Sequence, residues 1–170
     1  MQRVLLIGTG YLGQLVASFA SRLTSDLDLQ IASHEPGAHI RVDLADSSTF
    51  STMRDFNVVV DCADATVRDP GSAAEFCVRN GISFVETSAD SKVLQNLCTK
   101  FRAKHGNGQA CLILGAGIFP GLSTLLLADV ARRVGDKSDV RLGIRVSPFS
   151  HLRQNLRAGF SFTSGGVFVL

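Results

Sequence analysis

The chain has 170 residues, 45% of them hydrophobic and 19% charged, with a formal net charge of +2. That length builds one full core and little more, and that balance excludes a disordered chain. Its Lys and Arg residues are scattered, with no cluster interleaved with aromatics, which excludes nucleic acid and an anionic membrane surface as expected partners.

Taken in chain order, the pattern alternates strand and helix. Arg3 to Ile7 predicts a first strand, which runs straight into Gly8-Thr9-Gly10-Tyr11-Leu12-Gly13. Tyr11 to Thr24 predicts a helix, with Leu12, Leu15, Val16, Phe19 and Leu23 on one face. Leu27 to Ser33 reads as a second strand, followed by a polar turn at His34-Glu35-Pro36-Gly37. Ile40 to Val42 predicts a short third strand, and Asp46 to Arg54 a short helix opened by Ser47 or Ser48. Val58 to Cys62, with its β-branched run, predicts a strand buried on both faces. Pro70 to Asn80 reads as a helix with Pro70 near its start and Gly81 just past its end. Ile82 to Glu86 is a strand, Lys92 to His105 a helix, Ala110 to Leu114 a strand and Gly121 to Val134 a helix.

This order predicts an α/β fold: a Rossmann-type, doubly wound parallel sheet with right-handed crossovers. From Asp139 the pattern changes. Asp139 to Val146 alternates, Asn155 to Phe162 looks similar, and the chain closes on Val167-Phe168-Val169-Leu170 with no polar tail. The expectation is a first domain over 1–135 and the start of a second, mixed-sheet domain over 136–170, the chain being a fragment of something longer.

Cys62, Cys77, Cys98 and Cys111 form no C-x-x-C pair, and Cys62 and Cys111 lie in apolar runs where a thiol packs as a small hydrophobe. Gly8 and Gly10 cut the first apolar run too short for a signal peptide, and no N-x-S/T site occurs. A cytoplasmic location with free thiols is the expectation. Gly108 to Ala128 is uncharged, but Gly115, Gly117, Pro120 and Gly121 interrupt it, so two short elements are expected there rather than a membrane span.

Gly8, Gly10 and Gly13 form a complete G-x-G-x-x-G between a strand and a helix, the context a dinucleotide pyrophosphate requires. Gly8 allows the tight turn, Gly10 lets the backbone approach the pyrophosphate, and Gly13 lets the helix lie close to the strand. Thr9, Tyr11 and Leu12 would lend backbone amides at the positive end of the helix. In a parallel sheet ligands sit outside the carboxyl ends of the strands. Those ends read Gly8-Thr9-Gly10, Ser33-His34-Glu35, Cys62-Ala63-Asp64, Thr87-Ser88-Ala89-Asp90 and Gly115-Ala116-Gly117, all small or polar. Ser33 and His34 stand about 20 residues after Gly13, where an NAD site carries an acidic residue, so NADP is the predicted cofactor and NAD stays open. No Arg is expected at this end to grip a 2′-phosphate, and the plain alternative for His34 is an exposed turn residue. Asp43 and Leu44 are candidates to border the adenine; Asp46 is expected to cap or flank a helix. Asp61, inside a buried strand, needs partners, and a structural pairing is expected ahead of a site role. His39, His105 and His151 show no metal-ligand spacing, and no metal site is expected.

Together these segments resemble the saccharopine dehydrogenase-like family of NAD(P)-dependent oxidoreductases. The matching residues are Gly8 to Gly13, Val58 to Ala63, Gly81 to Ser88 and, most specifically, Leu114-Gly115-Ala116-Gly117-Ile118-Phe119-Pro120-Gly121-Leu122-Ser123. Over residues 1 to about 130 the resemblance implies a cofactor domain followed by a substrate domain, with Gly115, Ala116, Gly117 and Pro120 near the nicotinamide. It implies hydride transfer at a carbon–nitrogen centre of an amino acid or polyamine conjugate. Ser164-Gly165-Gly166 looks like the Gly-Gly segment early in the family's second domain. The expected partner is a small-molecule substrate, with a homodimer left open, and the isolated chain is expected to be inactive. The alternative is a non-catalytic nucleotide-sensing or assembly module. A Tyr-x-x-x-Lys dehydrogenase is excluded, since the one tyrosine, Tyr11, sits in the glycine loop.

Overall fold

Among the described residues, short β-branched runs alternating with helical segments assemble into five parallel strands in the order β2-β1-β3-β4-β5. The computed structural model describes residues 1–23, 26–65, 67–102, 110–118 and 121–134. Two units divide the chain, Met1–Gly117 and Ile118–Leu170. The first contains β1 (Gln2–Ile7), α1 (Tyr11–Leu23), β2 (Leu27–Ala32), a 3₁₀ segment (Ser47–Asp55), β3 (Val58–Asp61), α2 (Gly71–Arg79), β4 (Ser83–Glu86), α3 (Ser91–Arg102) and β5 (Leu112–Ile113). The described part of the second is α4 (Leu122–Val134), whose Asp129 pairs with Arg132 and Arg133. The alternating strands expected beyond Asp139 lie outside the described residues.

The predicted third strand is reduced to one parallel bridge. Ser33 N–H donates to Ile40 O (3.1 Å) and Val42 N–H donates to Ser33 O (3.0 Å), after which the chain turns through Asp43–Asp46. Counted as a vestigial outer strand, the segment completes the 3-2-1-4-5-6 order of a dinucleotide-binding sheet.

One sheet face carries the core. Leu5, Ile7, Val59 and Phe84 pack with Phe50, Met53 and Phe56 around the 3₁₀ segment and with Ala73, Ala74 and Cys77 of α2. The 3₁₀ geometry follows from the apolar spacing, because Phe50, Met53 and Phe56 are three apart and a helix of about three residues per turn stacks them on one edge. Asp46, rather than Ser47 or Ser48, caps it, with Oδ1 accepting the Ser48 N–H at 3.1 Å. Asp69 Oδ1 accepts the Gly71 N–H (2.9 Å) at the start of α2. At its end Ile82 N–H reaches Cys77 O (2.9 Å) and Gly81 N–H reaches Val78 O (3.3 Å), with Gly81 at φ 72°. This is a Schellman closure, which the left-handed glycine permits.

Right-handed crossovers place α1 on the opposite face, over β1 and β2. Two expectations change here. Val59 is buried but Val58 and Val60 are only half-buried, so β3 is not sealed on both faces. In addition, α1 turns Gly13, Val16, Ala17 and Ala20 inward, leaving Leu12, Leu15, Phe19 and Leu23 exposed. Of the predicted apolar stripe Val16 turns inward and the four larger residues do not; the rotation follows small residues that let the helix approach.

All four cysteines are free. Cys77 is buried and Cys62 half-buried, whereas Cys111 is exposed, because β5 begins only at Leu112. Phe50 is 2% exposed and meets Phe76 edge-to-face at 5.8 Å. Phe50→Ala is expected to lower stability by about 3–5 kcal/mol in urea unfolding, as the loss of a fully buried aromatic side chain.

Candidate functional site

The register sets four strand ends abreast: Ile7 pairs with Ala32 and with Asp61, and Asp61 pairs with Glu86. The next residue of each strand, Gly8, Ser33, Cys62 and Thr87, leaves the same edge of the sheet. Val85 pairs with Ile113, so Gly115 emerges there too. Cross-links tie this edge together: Gly8 N–H to Ala32 O (3.1 Å), Cys62 N–H to Ile7 O (2.9 Å), and Thr87 Oγ1 to Asp61 O (2.8 Å).

The three glycines divide the work by position. Gly8 sits at φ 107°, and a Cβ there would lie 3.0 Å from the backbone of Cys62 and Ala63. A Cβ on Gly13 would overlap the Gly8 carbonyl oxygen. A Cβ on Gly10 would meet nothing within 4 Å, so the space above that residue is open. The Gln14 N–H makes a helical bond to Gly10 O (3.0 Å), and Gln14 Nε2 donates to Thr9 O (3.0 Å). The amides of Leu12 and Gly13 precede the first carbonyl α1 can offer four residues back, and they mark the positive end of its dipole.

At the β2 end, Ser33 Oγ accepts the Glu35 N–H (3.2 Å), and His34 Nε2 lies 3.1 Å from Glu35 Oε1. The expectation that no Arg reaches this end is overturned. The bridge sets Arg41 beside Ser33, and its Nε approaches His34 O at 3.5 Å. A parallel reading of Ile40 to Val42 against the second strand would have found it. Asp43 Oδ1 is gripped by Arg68 Nε (3.2 Å) and by the Ala45 N–H (3.1 Å), while Leu44 is buried in the core cluster.

Two carboxyls lie beneath the crevice. Asp61 is 2% exposed and Glu86 1% exposed. Asp61 Oδ1 accepts the Ala63 N–H (2.9 Å), so its expected pairing is met by backbone rather than by a cation. Burial pushes Asp61 up to about 7 against that hydrogen bond, and the neighbouring Glu86 charge adds to the rise. Burial also raises Glu86, although the Ser88 and Gly115 amides pull the other way. Partial burial pushes the Cys62 thiol up to about 11 against its hydrogen bond with Thr87, which keeps it neutral rather than nucleophilic. Ala63 and Asp64 follow Cys62 on this edge, and Asp64 O receives the Val67 and Arg68 amides (3.0 Å each), closing the turn. Asp90 Oδ1 caps α3 through Lys92 and Val93 (2.9 and 3.0 Å), and Ser88 Oγ accepts the Asp90 N–H (2.9 Å). Glu86 was not singled out from the sequence; its place as the last residue of a strand was the available signal. Pro120 lies outside the described residues.

Among the described residues no group of three His, Cys, Asp or Glu could hold a metal ion. Among them, too, no helix is long and apolar enough to cross a membrane; the uncharged stretch resolves into β5 and the start of α4.

No protein-family profile matches the chain, and no curated protein matches it in sequence. Solved structures do. DAP dehydrogenase from C. glutamicum, in complex with DAP, is 18% identical with a TM-score of 0.58, covering 78% of this chain and 41% of its own. An engineered D-amino acid dehydrogenase bound to NADP⁺ is 21% identical with a TM-score of 0.56 over the same shares. The chain thus spans 41% of the length of each. At these identities the likeness establishes the fold, a Rossmann-type α/β sheet.

Gly13→Ala is expected to destabilise the chain by about 1–3 kcal/mol, because the helix must shift off Gly8; thermal unfolding measures it. Asp61 holds, when folded, a proton that the unfolded chain releases near pH 4. Its contribution to stability is therefore complete below about pH 4 and is lost as pH rises through about 7. Unfolding free energies from urea titrations between pH 4 and 8 are expected to fall by no more than about 1.4 kcal/mol per pH unit for this proton. In Asp61→Asn, which keeps the acceptor for Ala63, that fall is expected to shrink.

Proposed function

We propose that this chain is the cofactor half of a saccharopine dehydrogenase-like oxidoreductase. The whole enzyme would transfer hydride between NADP(H) and a carbon–nitrogen centre of an amino acid or polyamine conjugate. The observation that carries the reading is the open glycine turn between β1 and α1, at the point where strand order reverses. A dinucleotide fits the residues present: Gly10 leaves room for a pyrophosphate, and the first-turn amides of α1 face an anion there.

In this reading Thr9, Gly10, Tyr11, Leu12 and Gly13 hold the pyrophosphate through backbone amides. Ser33 and His34 border the 2′-position, and Arg41 adds the positive charge that a 2′-phosphate needs. Cys62, Ala63 and Asp64 with Thr87 and Ser88 line the middle of the crevice. Gly115, Ala116 and Gly117 flank the nicotinamide side, where side chains no larger than a methyl admit a ring closely. When bound, the nicotinamide supplies the hydride chemistry, and these residues bind and orient it. The resemblance in sequence segments supports the reaction class; the fold neighbours support only the scaffold.

The test is titration of the purified chain with NADPH and with NADH, followed by the emission of the reduced nicotinamide, since the chain has no Trp. Tighter binding of NADPH is expected. Arg41→Ala is expected to weaken NADPH about tenfold or more and to leave NADH unchanged, as the loss of one charge-assisted contact. Gly10→Val is expected to fold normally and bind neither. A folded wild-type chain that binds neither dinucleotide would overturn the reading; equal affinities would remove the 2′-position from Ser33, His34 and Arg41.

A further inference from the structure

Glu86 has an arrangement that the strand ladder alone does not demand. It is the last residue of β4, it is 1% exposed, and both carboxylate oxygens are engaged by backbone. Oε1 accepts the Ser88 N–H, Oε2 accepts the Gly115 N–H at 3.2 Å, and its own carbonyl accepts the Ala116 N–H at 2.8 Å. One residue therefore holds two loops, the one after β4 and the one after β5. The strand that leads into the second loop is short. β5 is two residues long, and its ladder stops at the Val85–Ile113 pair. Gly115 adopts φ 66°, which turns the chain out of the strand direction just where the carboxylate receives it.

We propose that Glu86 is a positioning residue for the half of the crevice that lies beyond the pyrophosphate, shaping the nicotinamide pocket without touching the ligand. The inference rests on the cofactor reading above. With the adenosine ribose at the β2 end and the pyrophosphate at the β1 turn, the strand order sends the rest of a dinucleotide over β3, β4 and β5. Ser88 and Gly115 stand in the loops at that end, and the Glu86 carboxylate sets their separation. A carboxylate suits this task because it only accepts, so it can receive two N–H donors at once; a carboxamide must turn its own donor toward one of them. Asp61, abreast of Glu86 on β3, is the neighbouring ionisable group, and it is engaged by the Ala63 amide instead.

The experiment compares two ligands on the full chain: NADPH, and adenosine 2′,5′-bisphosphate, which lacks the nicotinamide half. Glu86→Gln is expected to weaken NADPH by about tenfold or more while leaving the bisphosphate unchanged. A loss that is equal for both ligands would mean a general structural role and would overturn the proposal, as would unchanged affinity for NADPH. A wild-type chain that binds neither ligand overturns the cofactor reading itself, and this inference with it. Amide hydrogen exchange keeps the test open if the variant does not fold. In the wild-type chain without ligand, the Ser88 and Gly115 amides are expected to exchange at least about tenfold more slowly than unstructured amides. Unprotected exchange at both would overturn the clamp.

Discussion

Everything at the candidate site depends on a backbone contact that only glycine allows. At Gly8 three segments converge: the end of β1, the first turn of α1 through Gly13, and the loop after β3 through Cys62 and Ala63. A side chain at Gly8 or Gly13 would push one of these apart, and the opening above Gly10 would no longer be framed. The helix start, with its unsatisfied amides, is thereby held against the sheet edge where the other strand ends emerge.

The same contact sets the rotation of α1, and rotation decides which residues are covered. Once Gly13 faces the strand, the residues three, four and seven positions on, Val16, Ala17 and Ala20, must face it as well. The larger Leu12, Leu15, Phe19 and Leu23 are then left outward. The two faces of the sheet consequently differ. One is sealed by the aromatic and sulfur-containing residues of the 3₁₀ segment and by α2; on the other, Val58, Val60 and Val85 remain half-covered.

The floor of the crevice is acidic and buried. Asp61 and Glu86 lie side by side with no described cation against either, and both are satisfied by backbone amides. Burial favours their neutral forms, while the amides favour the charged ones. The outcome at Asp61, near neutrality, makes this rung of the sheet sensitive to pH. At Glu86 the same balance operates on a group that also links the loops after β4 and β5.

Much was legible in local patterns. The glycine spacing, the strand–helix alternation and the Gly81 stop of α2 are written in short stretches, because turn geometry and periodicity act over a few residues. The parallel fold followed from that alternation, and it placed Ser33, Cys62, Thr87 and Gly115 at one edge. Other features depend on register and crossover, which no local window contains. Arg41 comes beside Ser33 only through a bridge that pairs them; Asp61 and Glu86 become neighbours only because β3 and β4 align at that rung. The apolar stripe of α1 misled because a backbone contact outweighed side-chain hydrophobicity in orienting the helix. By itself the sequence determined β1 to β5, α1 to α4, their order and the glycine turn. The tertiary structure alone decided which side chains share the crevice, because pairing across strands is set by long-range register and not by neighbours along the chain.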